Sequence, residues 1–157
     1  YFLDKVNFPA LNPRVALMDL NPNSLDFCSR RIERYQPQNL QRNVLEPIDY
    51  QGDKFDSLGM NLLLHCLPGT MLEKACAFDH LLPLLNPGAR VFGATILQGD
   101  VPRNVAARGL MKVYNRKGIF SNQNDSLASL KQALESRLEQ VEVQVEGCMA
   151  LFSGGRR

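Results

Sequence analysis

An acid at residue 19 offers the clearest chemistry in this sequence. Val15-Ala16-Leu17-Met18 is an apolar run that stops on Asp19, and Leu20 leads at once into Asn21-Pro22, a pair suited to opening a helix. A carboxylate at the carboxyl end of a buried strand, with a helix following, is placed to accept hydrogen bonds from the two hydroxyls of a ribose, as in nucleotide-binding α/β folds. A helix-capping acid would leave the same trace in the sequence. Such folds usually carry a glycine-rich loop ahead of the acid, yet no Gly-x-Gly occurs anywhere in the 157 residues.

Other residues could act with it. His65 follows the apolar run from Phe55 to Leu64, and an unperturbed imidazole would suit a base near neutrality. A histidine that only holds the loop is the plainer reading. Asn61 puts an amide into the same run, where burial would demand a partner. Asn43 can donate and accept together, or simply form a turn. Tyr114 and Phe120 could build an apolar wall, or pack as ordinary aromatics. His80 falls late in a helix, where a cation is favourable, and is assigned no chemistry. Cys28, Cys66, Cys76 and Cys148 show no Cys-x-x-Cys spacing and only two histidines accompany them, so no metal site is expected. Cys28, Cys76 and Cys148 read as small buried hydrophobes of a reducing compartment.

The elements that must position these residues alternate between strand and helix. Residues 1–11 read as the tail of a helix, stopped by Pro9 and Asn12-Pro13. Val15–Asp19 is an apolar strand suited to burial on both faces. A helix follows, with Leu25, Cys28, Ile32 and Tyr35 at helical spacing. Short and long strands are expected at Asn39–Leu45 and Phe55–Leu64. Thr70 and Glu73 fit a capping box at the start of the next helix, which carries Ala75, Phe78, Leu81 and Leu82. Asn86-Pro87-Gly88 should turn the chain into a strand at Arg90–Leu97. A helix is expected around 103–114, and a second one capped by Asp125 with Leu127, Leu130, Leu134 and Leu138 on one face. Strict alternation over Gln140–Glu146 marks a half-exposed strand, and Gly147 turns it into Cys148–Phe152 as an antiparallel hairpin. This order describes an α/β domain with a mostly parallel sheet.

Composition bounds the partners. The length suits one domain, and 45% hydrophobic with 22% charged residues is an ordinary globular balance. Eighteen basic residues are scattered among 16 acidic ones for a net charge of +2, which argues against a nucleic-acid partner. Arg30-Arg31 and Arg156-Arg157 read as a solvated helix face and a tail. No signal peptide and no apolar run near ~18 residues is present, so a cytoplasmic location without a membrane partner is expected. The first residue is Tyr1 rather than Met, and the sequence is expected to continue upstream.

These segments, in this order, resemble the class I S-adenosylmethionine-dependent methyltransferases of the small-molecule type over nearly the whole chain. Val15–Leu20 with Asn21-Pro22 resembles the family's second strand and its ribose-binding acid. Arg42-Asn43-Val44-Leu45 resembles the third-strand motif. Phe55-Asp56-Ser57 through Leu64-His65-Cys66-Leu67-Pro68-Gly69 resembles the fourth strand and its exit. Leu81–Leu85 with Asn86-Pro87-Gly88-Ala89-Arg90-Val91-Phe92 resembles the following helix, turn and fifth strand. The last hairpin resembles the sixth and seventh strands.

The resemblance implies a Rossmann-like fold with a mostly parallel seven-stranded sheet and an antiparallel terminal hairpin. The first strand and the glycine-rich loop would lie ahead of Tyr1. It implies S-adenosyl-L-methionine as cofactor, with Asp19 on the ribose, Leu20 against the adenine, and Asn43 and Val44 on the adenine edge. Asn61 and Leu62 would line the same pocket, His65 would be the candidate base, and Tyr114 and Phe120 would face a small-molecule acceptor. Asn43 stands where many members carry Asp, and its amide can still pair with the adenine edge. The implied reaction is in-line displacement at a sulfonium methyl, for which holding the reactants in line is worth up to ~7–11 kcal/mol. Two rival readings share the residues: a non-catalytic binding or scaffold module, and a nicotinamide dehydrogenase, which would also place Asp19 on a ribose but normally lacks the terminal hairpin. A homodimer is compatible with any of them.

Overall fold

The structure, a computed structural model, describes residues 2–8 and 10–157. Two compact units divide the chain, one ending at Ile48 and the other beginning at Asp49. Tyr1 and Pro9, the expected helix stop, lie outside the described residues.

The first unit is built on two parallel strands. Helix α1 spans Phe2–Lys5, strand β1 Ala16–Asp19, helix α2 Pro22–Arg31 and strand β2 Gln38–Gln41. Asn21 stands at the helix entrance in an extended conformation, its Oδ1 accepting from the Asn23 amide, while Pro22 occupies the first turn without losing a hydrogen bond. Among the described residues of this unit Val15, Leu25 and Ile32 are the buried apolar ones. Asp4 collects Arg34 at 3.1 Å and Arg31 at 3.5 Å, which ties α1 to the end of α2. Strand β2 is shorter than the expected Asn39–Leu45. It leaves the ladder after Gln41 because Asn43 Oδ1 captures the Leu45 amide in a local turn, a bond that competes with sheet pairing. Cys28 is exposed rather than buried, since α2 turns Leu25 and Ile32 inward and leaves its other faces to solvent.

The second unit is a four-stranded mixed sheet with helices against it. Strand β3 runs Phe55–Asn61, β4 Leu85–Ile96, β5 Leu138–Glu146 and β6 Met149–Arg156, in the spatial order β3-β4-β6-β5. The β3–β4 pair is parallel, and β4–β6 and β5–β6 are antiparallel. The helices are α3 (Met71–Lys74), α4 (Cys76–Leu81), α5 (Val105–Arg116) and α6 (Leu127–Glu135). Phe78, Leu85, Val91, Leu97, Leu130, Leu134 and Leu138 are among the side chains sealed from solvent here. Gly93 is required where β4 passes β3 and β6, because an added Cβ would strike the Met60 carbonyl and the Phe152 ring. Gly147 takes φ +62° at the β5–β6 turn, a left-handed conformation that suits glycine.

Several boundaries differ from expectation. Strand β3 ends at Asn61 rather than Leu64, because Leu62 adopts φ +60° and breaks the extended run. The Thr70–Glu73 capping box is present, with Thr70 N–H donating to Glu73 Oε2 at 2.7 Å. The helix it opens divides at Ala75 into α3 and α4 and runs out in a single 3-10 turn over Leu82–Leu84, where Pro83 stands. Strand β4 begins at Leu85, and the expected Asn86-Pro87-Gly88 turn is absorbed as a register shift between Phe55 and Ser57 opposite it. Ser126, not Asp125, caps α6, and Leu138 opens β5 instead of closing that helix. Among the described residues the strands number six, in one two-stranded and one four-stranded sheet.

Candidate functional site

At the carboxyl end of β1 the chain assembles a small polar rim. Asp19 is exposed, and its Oδ1 accepts from the Asn21 amide at 2.8 Å. Among the described residues Oδ2 meets no donor, so one full carboxylate oxygen is open to hydroxyl groups. Beside it Leu20 is 64% exposed, an apolar surface standing free at a strand tip. Gln41, the register partner of Asp19 on β2, donates from Nε2 to the Leu20 carbonyl at 3.2 Å. Asn43 follows in the turn, with Oδ1 on the Leu45 amide at 3.1 Å and Nδ2 on Glu46 Oε1 at 2.9 Å. An amide has two lone pairs and two hydrogens, so half its capacity is left after these bonds. Val44 lies half-buried in the same turn.

In the second unit the residues after β3 converge on a buried histidine. Asn61, the last residue of β3, is exposed rather than buried, so its amide does not need an internal partner. Leu62 is 50% exposed, and its left-handed backbone still donates to the Ala94 carbonyl at 2.8 Å. His65 is only 3% exposed. Its Nδ1 accepts from the Ile96 amide at 3.3 Å and lies 3.4 Å from Thr95 Oγ1. That bond places the ring hydrogen on Nε2 in the neutral form. Burial first, and then the nearby Lys74 charge, depress the imidazole to about 4. Phe120 sets its ring edge-to-face on His65 at 4.6 Å, and Tyr114 does the same to Phe120 at 5.0 Å. The Ser121 amide donates to the His65 carbonyl at 2.8 Å and completes the link between the two segments.

Beneath this stack lies a polar network that sequence reasoning missed. Lys74 Nζ reaches Asp125 Oδ2 at 2.7 Å and the Ser121 carbonyl at 2.6 Å, fully buried. Burial pushes the Asp125 carboxyl up against the opposing pull of the ammonium. Asn122, also fully buried, donates from Nδ2 to the Ile96 carbonyl at 2.9 Å. Its Oδ1 accepts from Gln98 Nε2 at 3.1 Å and from Asn115 Nδ2 at 3.0 Å. The polar run Ser121-Asn122-Gln123-Asn124-Asp125 looks like a solvated loop in sequence. The signal available was Lys74, a charge set among apolar helix positions that demanded a counter-ion.

The expected residues therefore fall into two groups. Asp19, Leu20, Asn43 and Val44 gather in the first unit at the end of β1 and β2. His65, Tyr114 and Phe120 join in one ring stack in the second unit, with Asn61 and Leu62 a few residues upstream. Among the described residues no three His, Cys, Asp or Glu side chains come together as metal ligands do, and no helix is long and apolar enough to cross a membrane.

No protein-family model matches the chain. It is 38% identical over 152 residues to the demethylluteothin O-methyltransferase of Streptomyces thioluteus, an alignment covering 97% of this chain and 66% of that protein. It is 35% identical over 153 residues to the physcion biosynthesis cluster O-methyltransferase of Aspergillus chevalieri, covering 97% of this chain and 68% of that one. The chain thus spans about two thirds of the length of these relatives. Among solved structures, the N-methyltransferase NodS from Bradyrhizobium japonicum WM9 in complex with S-adenosyl-l-homocysteine superposes with a TM-score of 0.61 at 17% identity, over 91% of this chain and 66% of that chain. That likeness is one of fold.

Proposed function

The chain belongs to the class I S-adenosylmethionine-dependent methyltransferase family, and we propose that it acts as a single catalytic domain moving a methyl group onto a small-molecule acceptor. S-adenosyl-L-methionine, when bound, supplies a methyl group already activated on a sulfonium. The residues at the end of β1 fit this cofactor. Asp19 Oδ2, without a donor of its own, suits ribose hydroxyls, which would give it short charge-assisted bonds. The exposed Leu20 offers a flat apolar contact for the adenine, and the spare donor and acceptor of Asn43, with Val44 beside it, suit the adenine edge. Asn61 and Leu62 are proposed to line the cofactor pocket from the end of β3.

The open oxygen of Asp19 is the observation that carries this reading. Tyr114 and Phe120 are proposed to face the acceptor. His65 is proposed as a positioning residue rather than a base, because the Ile96 amide already uses its Nδ1 lone pair. A relative that is an O-methyltransferase supports oxygen as the acceptor atom. The relatives favour an enzyme over a non-catalytic module.

A mostly parallel seven-stranded sheet ending in a hairpin is part of the same reading, supported by the parallel β1–β2 and β3–β4 pairs and the antiparallel β5–β6 pair. A cytoplasmic location, a homodimer, and the absence of nucleic-acid or membrane partners complete it; the net charge of +2 supports the absence of a nucleic-acid partner. The test is a calorimetric titration with S-adenosylmethionine and, in parallel, with NAD. Binding of the first alone is expected. Binding of NAD alone would overturn the assignment.

A further inference from the structure

The second unit holds a cavity that the proposed chemistry has not used. It measures about 290 Å³ and is lined by Gln98, Arg108, Lys112, Asn115, Arg116 and Gln123. Arg108, Lys112 and Arg116 follow one another at steps of four along α5, so the helix carries them on one face. Like charges at that spacing oppose one another and weaken a helix. Several other cations of the molecule meet carboxylates. Arg31 and Arg34 share Asp4, Arg137 holds Asp79 through two bonds, and Lys74 has Asp125. Among the described residues none of the three α5 cations has an acidic partner, and no acid lines the cavity. A chain whose net charge is only +2 thus concentrates three positive groups around one hollow.

The rest of the wall is rigid and polar. Gln98 leaves the carboxyl end of β4, where ligands of parallel sheets tend to sit. Its amide and that of Asn115 are both fixed on the buried Asn122. Asn115 also donates to the Met111 carbonyl at 2.8 Å, and its own Oδ1 is buried without a donor. Asn115 has thus committed both amide hydrogens and offers this wall only an acceptor oxygen, so the capacity to bind an anion rests on the row of cations, whose guanidinium groups bind carboxylate and phosphate oxygens through paired N–H donors.

We propose that this cavity binds the anionic group, carboxylate or phosphate ester, of a small organic ligand, and that this ligand is the methyl acceptor. The second half of that statement rests on the methyl-transfer reading; the first half does not. Association would weaken as salt is added, because the cations stand at the surface.

The experiment follows backbone amide shifts by NMR while the protein, without S-adenosylmethionine, is titrated with benzoate, phenyl phosphate and methyl benzoate. At least one anion is expected to bind saturably, moving the amides of Gln98, Gln123 and α5, while the neutral ester does not. The better anion identifies the head group. The double substitution Arg108→Gln with Lys112→Gln is expected to weaken that binding by roughly tenfold or more. Gln is a good helix former, and a matching thermal melt checks the fold; Arg116→Gln serves as a second, independent variant. The proposal is overturned if neither anion binds, if methyl benzoate binds as tightly as benzoate, or if the folded variants bind like the parent. A protein that binds the anion as expected but fails to bind S-adenosylmethionine overturns the acceptor assignment alone.

Discussion

Lys74 Nζ lies 2.7 Å from Asp125 Oδ2 with both side chains closed off from solvent, 51 residues apart in the chain. The pair joins α3 to the segment that carries Phe120 and Asn122, so it fixes the floor on which the aromatic stack rests. Removing one partner strands the other as a buried charge. Lys74→Met or Asp125→Leu alone should cost about 3–5 kcal/mol, while the double substitution should recover much of that loss. Urea midpoints in a double-mutant cycle read the coupling. Single-variant losses below about 1 kcal/mol would show the pair to be incidental.

The buried neutral state of His65 gives stability a defined pH dependence. Its imidazole is held down to about 4 in the folded protein, against ~6.5 in an unfolded chain. Between those values the unfolded state binds more protons. The contribution is therefore complete above about pH 6.5 and is lost as pH falls toward 4, by roughly 3 kcal/mol at most. His65→Asn keeps an acceptor near the position of Nδ1 and should flatten this slope. Denaturant midpoints measured from pH 7.5 to 4 decide the matter, and an unchanged slope in the variant would assign the effect to other groups.

Asp19→Ala separates binding from folding. The side chain is exposed and its one bond is to the Asn21 amide, so stability should fall by no more than about 1 kcal/mol. Affinity for S-adenosylmethionine should fall by about 2 kcal/mol or more, since a charged acceptor for two hydroxyls is removed. Calorimetry that returns the parental affinity would remove Asp19 from the cofactor site.

Two glycines should respond in opposite directions to alanine. At Gly93 a Cβ meets the Met60 carbonyl and the Phe152 ring, and Gly93→Ala should cost about 1–3 kcal/mol or more through overpacking. Gly109 lies within α5 with open space around its Cβ position, and Gly109→Ala should stabilise by up to about 1 kcal/mol. Thermal melts of both variants check the packing of β4 between its neighbours.

Periodicity made much of this architecture legible. The apolar run into Asp19, the alternation of Val141, Val143 and Val145, and the Thr70–Glu73 spacing each have a single local cause, and each lies in the element expected. Boundaries were less legible where a local bond overrides propensity. Asn43 ends β2 early by taking the Leu45 amide, and Leu62 ends β3 by turning left-handed, although leucine carries no signal for that conformation. The position of Asp19 at a strand end was readable from sequence, since strand ends announce themselves. The assignment of Asp125 to a helix cap missed the interior network. Its partners stand 7 to 51 residues apart, and no local pattern encodes which buried polar group answers which.

The segment from Ser121 to Asp125 is fastened at both ends and in the middle: to His65 and Lys74 through Ser121, to Ile96, Gln98 and Asn115 through Asn122, and to Lys74, Gln98 and Gly99 through Asp125. A stretch of irregular backbone riveted this way behaves as masonry rather than as a curtain. It does not mould itself around whatever arrives. If Phe120, the residue just ahead of it, faces the acceptor as proposed, exchanging that ring for another aromatic would retune selectivity while the wall behind stays put.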